Sequence, residues 1–370
     1  MLADLIPISQ LTPRDLAAWQ QLASVARSPN PFAEPGFVLP ADRGLRARRL
    51  ALLVVRKGID WLAAMPVQHV SSWRGVPGRT LVGWRHLYSY LATPLVAGDD
   101  PEATLAALIA GGLRTERCLV LDYVEDDGPL AEPLSRVLAH HGRWVELETF
   151  ERAILHRRPT DDYLEQAMSA PHRGQLRRAR RRLEERVGAL TLQDRSADPA
   201  EYQRFLELER TGWKGETGSA IAADAGHASF FTEMCGRFSD EGRLELLSLA
   251  SDQHTVAMKC NLVSGQAGFG FKVASDMSLS RFSPGIQLEA ACLTHFHAGT
   301  LAWIDSGADA DNRTFNRLWP GRRPLRAVVA CPRGASGALP YATWTAAAAA
   351  LLARRRLDES RRQKALSAGS

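Results

Sequence analysis

Apolar positions along this chain follow two periods, two residues and about 3.6 residues, and the stretches that carry them recur in the same order in each half. Leu5 to Ile8 reads as a short strand, followed by Thr12-Pro13 and a helical pattern through Leu16, Trp19 and Leu22. Leu190 to Leu192 is followed in the same way by Asp198-Pro199 and a helix through Tyr202, Phe205, Leu206 and Leu208. A capping side chain with proline at the first helical position marks both starts.

Two strand-like runs come next in each copy, and each pair predicts a hairpin: Leu50 to Val55 with Ala63 to Val70, and Leu244 to Leu249 with Val256 to Val263. Leu87 to Val96, a helical stretch from Pro101 to Leu113 and the strand Cys118 to Val124 then parallel Gly268 to Val273, the helix after Ser283 and the strand Leu301 to Ile304. Each half closes on a helix and a strand, Pro129 to His140 with Trp144 to Glu148, and Asn312 to Trp319 with Leu325 to Ala330. The order β-α-(α)-β-β-β-α-β-α-β, written twice, predicts an α/β fold of the α+β kind. It would have two tandem units, each a mixed and mostly antiparallel sheet flanked by helices. The expected division is a first unit over 1–158, an arginine-rich helical linker over 159–188, a second unit over 189–335, and a C-terminal helix with a frayed tail over 336–370.

A length of 370 residues exceeds the usual single core, which agrees with two units. The net charge of +5 favours anionic partners, and it concentrates in His172 to Arg186 and Arg354 to Lys364. A solvated face or a phosphate contact would each account for such a run. Basic charge without interleaved aromatics argues against nucleic acid and leaves peripheral contact with an anionic membrane open. The five cysteines are scattered and form no Cys-x-x-Cys pair, which argues against a disulfide framework or zinc site and for a reducing cytoplasm. The first residues lack a secretory signal, and no apolar run approaches the length of a membrane span. Oligomeric state has no signature here.

The segment Gln266 to Asp305 reads strand, loop, capped helix, strand. Ser283 can cap a helix that opens with Pro284 and Gly285, just past a strand. Such a start either merely begins a helix or turns free backbone N–H groups toward an anion. The first half has Ala97-Gly98-Asp99-Asp100 at the corresponding place, where paired carboxylates repel phosphate. The second half is therefore expected to hold the chemistry and the first to be structural. No Gly-x-Ser-x-Gly elbow, His-Glu-x-x-His or Walker loop is present, and the histidines lack metal-ligand spacing, so no metal is expected.

The element order, the double copy and the motifs Trp213-Lys214-Gly215, Phe271 to Asp276, Ser283 to Glu289, Ile304-Asp305-Ser306 and Leu318-Trp319 resemble the tandem GNAT-fold acyltransferases of the FemAB-like and CelD-like group. The resemblance implies an N-acyltransferase that uses acyl-CoA as donor. Its acceptor would be an amine on a lipid precursor, amino sugar or envelope-related small molecule. Acyl-carrier protein or aminoacyl-tRNA are the other donors it implies, and a non-catalytic assembly protein of polysaccharide or envelope biosynthesis is the rival reading. The usual pyrophosphate-cradling spacing of this fold is not satisfied by Arg281 to Gln287.

Acyl transfer to an amine needs a proton acceptor and donors for the developing oxyanion. The expected catalytic residues are Lys272, Asp305, His227 and Asp276. The donor would lie against Phe271, Val273, Ser283, Pro284, Gly285, Ile286 and Gln287. Glu209, Trp213, Lys214 and Asn316 would shape the acceptor site, and the apolar residues Phe269, Phe271, Val273, Phe282, Ile286 and Leu288 would accommodate an acyl chain or else form core.

Overall fold

The computed structural model describes residues 1–45, 50–212, 218 and 220–367, with side chains through residue 357. The first copy runs β1 (Leu2–Pro7), α1 (Pro13–Val25), α2 (Pro35–Gly44), β2 (Leu50–Lys57), β3 (Asp60–Trp73), β4 (Val76–Gly83), β5 (Leu95–Val96), α3 (Pro101–Thr115), β6 (Leu119–Glu125), α4 (Ala131–His141) and β7 (Trp144–His156). Helices α5 (Tyr163–Ala167) and α6 (Ala170–Val187) follow. The second copy repeats the order with β8 (Thr191–Asp194), α7 (Pro199–Arg210), α8 (Ala225–Asp240), β9 (Leu244–Ala250), β10 (Thr255–Ser264), β11 (Ala267–Ser275), α9 (Pro284–Ala298), β12 (Trp303–Asp305), α10 (Arg313–Leu318) and β13 (Gly321–Ala330), and α11 (Ala338–Ser367) ends the chain. Both expected helix starts form: Thr12 and Asp15 make a capping box on α1, and the Asp198 carboxylate accepts from the Ala200 N–H at the start of α7.

Two compact units result. One comprises Met1–Ala33, Arg49–Phe150 and Pro324–Ser370, and its sheet runs β1-β2-β3-β4-β6 before the later part of β13 and the first part of β7. The other comprises Glu34–Arg48 and Glu151–Arg323, with β8-β9-β10-β11-β12 beside the last part of β7. Each has one parallel pair, β4 with β6 and β11 with β12, among antiparallel neighbours. This is the mixed, mostly antiparallel architecture the pattern predicts.

Three expectations change. Leu87 to Val96 is not a strand except at Leu95 and Val96. The Asn30 amide donates to the Leu91 and Thr93 carbonyls, and the Ala92 N–H goes to the Tyr123 carbonyl, so this backbone is satisfied without a ladder. The third strand is β4, obscured in the sequence by Pro77 and Gly78. The supposed linker over 159–188 belongs to the second unit: Leu183 of α6 is fully buried among Leu190, Leu247, Leu249 and Val256, and several arginines are engaged locally, Arg180 with Glu184 and with the Leu190 carbonyl. Residues 34–48 and 324–330 also lie outside the unit that sequence order assigns them. Helix α2 packs Phe37 edge-on to Phe230 and Phe271, Arg43 pairs with Glu233, and Arg243 donates to Glu34 at 2.6 Å. Residues 325–330 of β13 pair with β6.

Candidate active site

The second unit's sheet opens at one place. Strands β11 and β12 pair in parallel over Ala267 to Phe269 and Trp303 to Asp305. There β12 stops, while β11 runs on to Ser275 beside β10. Gly270 stands where the two part: a Cβ there would lie 2.5 Å from the Ser306 carbonyl oxygen, so only glycine permits the approach. Asp305 turns the chain away, its Oδ1 accepting from the Gly307 N–H at 2.9 Å. Opposite, the β10 register shifts between Cys260 and Asn261, so Phe271 bulges between the partners of Lys272 and Gly270. The result is a parting of the two parallel strands beyond Gly270.

Asp305 is wholly buried, and its Oδ2 takes 2.6 Å hydrogen bonds from Arg152 Nη2 and Arg323 Nη1. The Arg323 guanidinium also lies 4.9 Å from the Trp303 ring centroid. Burial pushes the Asp305 carboxyl up, but the two guanidiniums and the Gly307 N–H outweigh it and hold it below the usual range. A carboxylate so clamped anchors the strand end. The proton-accepting role expected of it is not what this environment favours.

The α9 entrance also differs from a simple anion cradle. Ser283 sits at the N-cap position in the left-handed region, φ 56°, and its side chain makes no cap bond. Its carbonyl instead takes the N–H groups of Ile286 and Gln287, and Pro284 has none, so Gly285 supplies the first-turn amide without an acceptor among the described residues. Gly285 faces open space, with nothing within 4 Å of a built Cβ. Gln287 is buried and donates to the Leu176 carbonyl of α6, Pro284 is buried, and Ile286 packs with the core.

The remaining candidates separate. Phe271 stacks on Phe231 at 6.1 Å, and Phe269, Phe282 and Leu288 are buried, so the apolar set is core rather than a chain pocket. Val273 shares the α9 face with Lys259, its register partner, whereas Lys272 is opposite Cys260, which lies beside Cys235 of α8. Half-buried Lys272 therefore stands beyond the parting of the strands, on the face turned to α8. Asp276 accepts from the Ser278 N–H and from His254 Nε2, both at 2.8 Å; burial raises its pKa, and these bonds more than reverse that. His227 lies in the first turn of α8 with its N–H on Asp224. Glu209 is buried at the end of α7 and accepts from the Ile221 N–H at 2.8 Å. Asn316 donates to the Ala310 carbonyl at 2.7 Å. Trp213 and Lys214 lie outside the described residues.

One polar cluster has no counterpart among the expected residues. Lys259 of β10 and Glu289 of α9, with side chains 1% and 2% exposed, meet at 2.8 Å. The ammonium lies 4.9 Å from the Trp319 ring centroid and 5.2 Å from that of Phe315. Burial pushes Lys259 down, but Glu289 and Glu245 outweigh it and keep it charged. Burial likewise keeps the adjacent Cys292 thiol protonated. Nearby, Asn261 donates to Glu245 at 3.1 Å, and Glu245, 3.8 Å from His295, raises that imidazole's pKa. The signal was present: a lysine in an apolar strand and a glutamate on the inner face of a helix each require a buried partner.

Residues 137–314 match the family described as an Acetyltransferase (GNAT) domain. No curated protein matches the chain. Among solved structures, FemX superposes with a TM-score of 0.59 at 10% identity, over 90% of this chain and 98% of that one. L-PGS from Bacillus licheniformis gives a TM-score of 0.52 at 14% identity over 90% and 96% of the two chains. A conserved protein of unknown function from Bacteroides thetaiotaomicron gives 0.53 at 14% over 89% and 100%. At such identities these likenesses speak to the fold, and they span nearly the whole of each chain. Together with the parting of β11 and β12, they agree with that match: the chain carries a GNAT-type acetyltransferase domain in a tandem fold like that of FemX.

Proposed function

We propose that the protein transfers an acyl group from acyl-CoA to the amine of a small acceptor, such as a lipid precursor, an amino sugar or another envelope-related molecule. The observation that carries this reading is the parting of β11 and β12 beyond Gly270, together with the open Gly285 position in the first turn of α9. The amide-bearing arm of a thioester donor can lie against strand backbone where two parallel strands part. The amine then attacks the thioester carbonyl, the C–S bond breaks, and the amine's proton leaves with the thiol. Lys272, beside the bulge, is assigned to the developing oxyanion. A metal plays no part in this scheme. That Gly285 is the one first-turn amide of α9 without an acceptor among the described residues favours, as a second reading, a donor held through its carrier, acyl-carrier protein or aminoacyl-tRNA.

Thiol release from acetyl- and palmitoyl-CoA with a panel of amines tests the reading, together with Gly285→Leu. The variant meets open space and is expected to fold as the wild type while the KM for acyl-CoA rises about 10-fold or more. Absence of both CoA binding and thiol release, alongside acyl transfer from a charged carrier, would replace the first reading with the second.

A further inference from the structure

The Lys259–Glu289 cluster borders a cavity of about 10 Å³, room for a single water. Three buried polar atoms on that lining lack a partner among the described residues: Glu289 Oε1, Asn261 Oδ1 and Trp319 Nε1. Two are acceptors and one is a donor. Lys259, with one N–H on Glu289 Oε2, brings further donors to the same lining. A water molecule has two hydrogens and two lone pairs, so it can donate to Glu289 and Asn261 while accepting from Trp319 and Lys259. No other species of that volume satisfies all four.

We propose that the cavity holds one internal water, and that the water-completed Lys259–Glu289 cluster is a positioning device. It fixes the register of α9 on β10 and so locates the entrance at Gly285. This second part rests on the acyl-donor reading above. Helix α9 otherwise meets the sheet through Leu288, Cys292, Leu293 and Phe296, apolar contacts that tolerate sliding. A buried pair of directional charges does not, and fixing register is the best-attested use of such pairs, whose net effect on stability is often small. Glu289 stands one turn after Gly285 on the same helix, and Lys259 is the register partner of Val273, on β11 beyond its parting from β12. The pair thus joins the two walls of the proposed donor site. Phe315 and Trp319, over the ammonium, bring the α10 region into the same contact.

Two measurements on the full chain test this. A crystal structure that resolves ordered water is expected to show one molecule within hydrogen-bond distance of Glu289 Oε1 and Asn261 Oδ1, and a dry cavity overturns the water assignment. The double variant K259M/E289L replaces the pair with apolar side chains of similar size and is expected to keep its melting temperature. Its α9 amides should nevertheless exchange about 10-fold faster, and its KM for acyl-CoA should rise about as much with kcat little changed. Wild-type exchange in α9 together with an unchanged KM overturns the positioning role. Should the double variant fail to fold, Glu289→Gln carries the same readouts. If wild-type protein releases no thiol from any acyl-CoA, the donor reading fails on its own, and exchange in α9 still decides the matter of register.

Discussion

Asp305 illustrates how burial changes what a side chain can do. Its position at a strand end suits a base, but two arginines at 2.6 Å bind the oxygen that would take the proton. Asp305→Asn should therefore act on stability. Removing the carboxylate charge that both buried guanidiniums bond is expected to cost about 3–5 kcal/mol in chemical denaturation at neutral pH. The pH dependence has a definite sign. The folded-state pKa lies below the ordinary value of 3.8, so the contribution is present above that value and is lost as pH falls through the folded pKa. The variant should lack this part of the acid limb. A loss of about 100-fold or more in activity with unchanged stability would instead restore the base role. Lys272→Ala makes the complementary prediction: kcat is expected to fall about 100-fold with melting temperature nearly constant, and an unchanged kcat would remove Lys272 from the oxyanion site.

Among the elements, α2 and α8 show how a helix finds its unit. Gly44 at the end of α2 and Gly226 at the start of α8 let the two backbones meet, since a Cβ on Gly226 would lie 2.3 Å from the Gly44 carbonyl oxygen. Neither glycine is at positive φ, so the requirement is space. Gly226→Val should separate the helices, disturb the Phe37, Phe230 and Phe271 contacts and destabilise the protein by about 1–3 kcal/mol. Thermal unfolding at wild-type temperature would show that the helices do not need this approach. Helix α6 makes the same point from its composition: an arginine-rich surface concealed Leu183, a single leucine that joins it to a core.

At the level of the whole molecule, chain order and unit membership diverge. A fragment spanning 159–335, the expected linker and second unit together, lacks α2 and residues 151–156 of β7, part of which pairs with β12. That fragment also severs Arg152 from Asp305. It is expected to show no cooperative unfolding transition by circular dichroism, and a folded, cooperative fragment would contradict the division into units. Among the described residues no helix is long and apolar enough to cross a membrane.

By itself the sequence determined the elements and their double order, because period, capping residues and prolines act over a few neighbours. Thr12-Pro13, Asp198-Pro199 and the alternating runs of β2, β3, β9 and β10 needed nothing distant. The candidate site was legible as a region, since glycines, Ser-Pro-Gly and an aspartate mark where a strand and a helix part. What each side chain does there was not legible. The arginines on Asp305 arrive from residues 152 and 323, the carbonyl on Gln287 from residue 176, and the glutamate on Lys259 from residue 289. Charge state, exposure and partner depend on contacts between segments far apart in the chain, and only the tertiary structure brings those together.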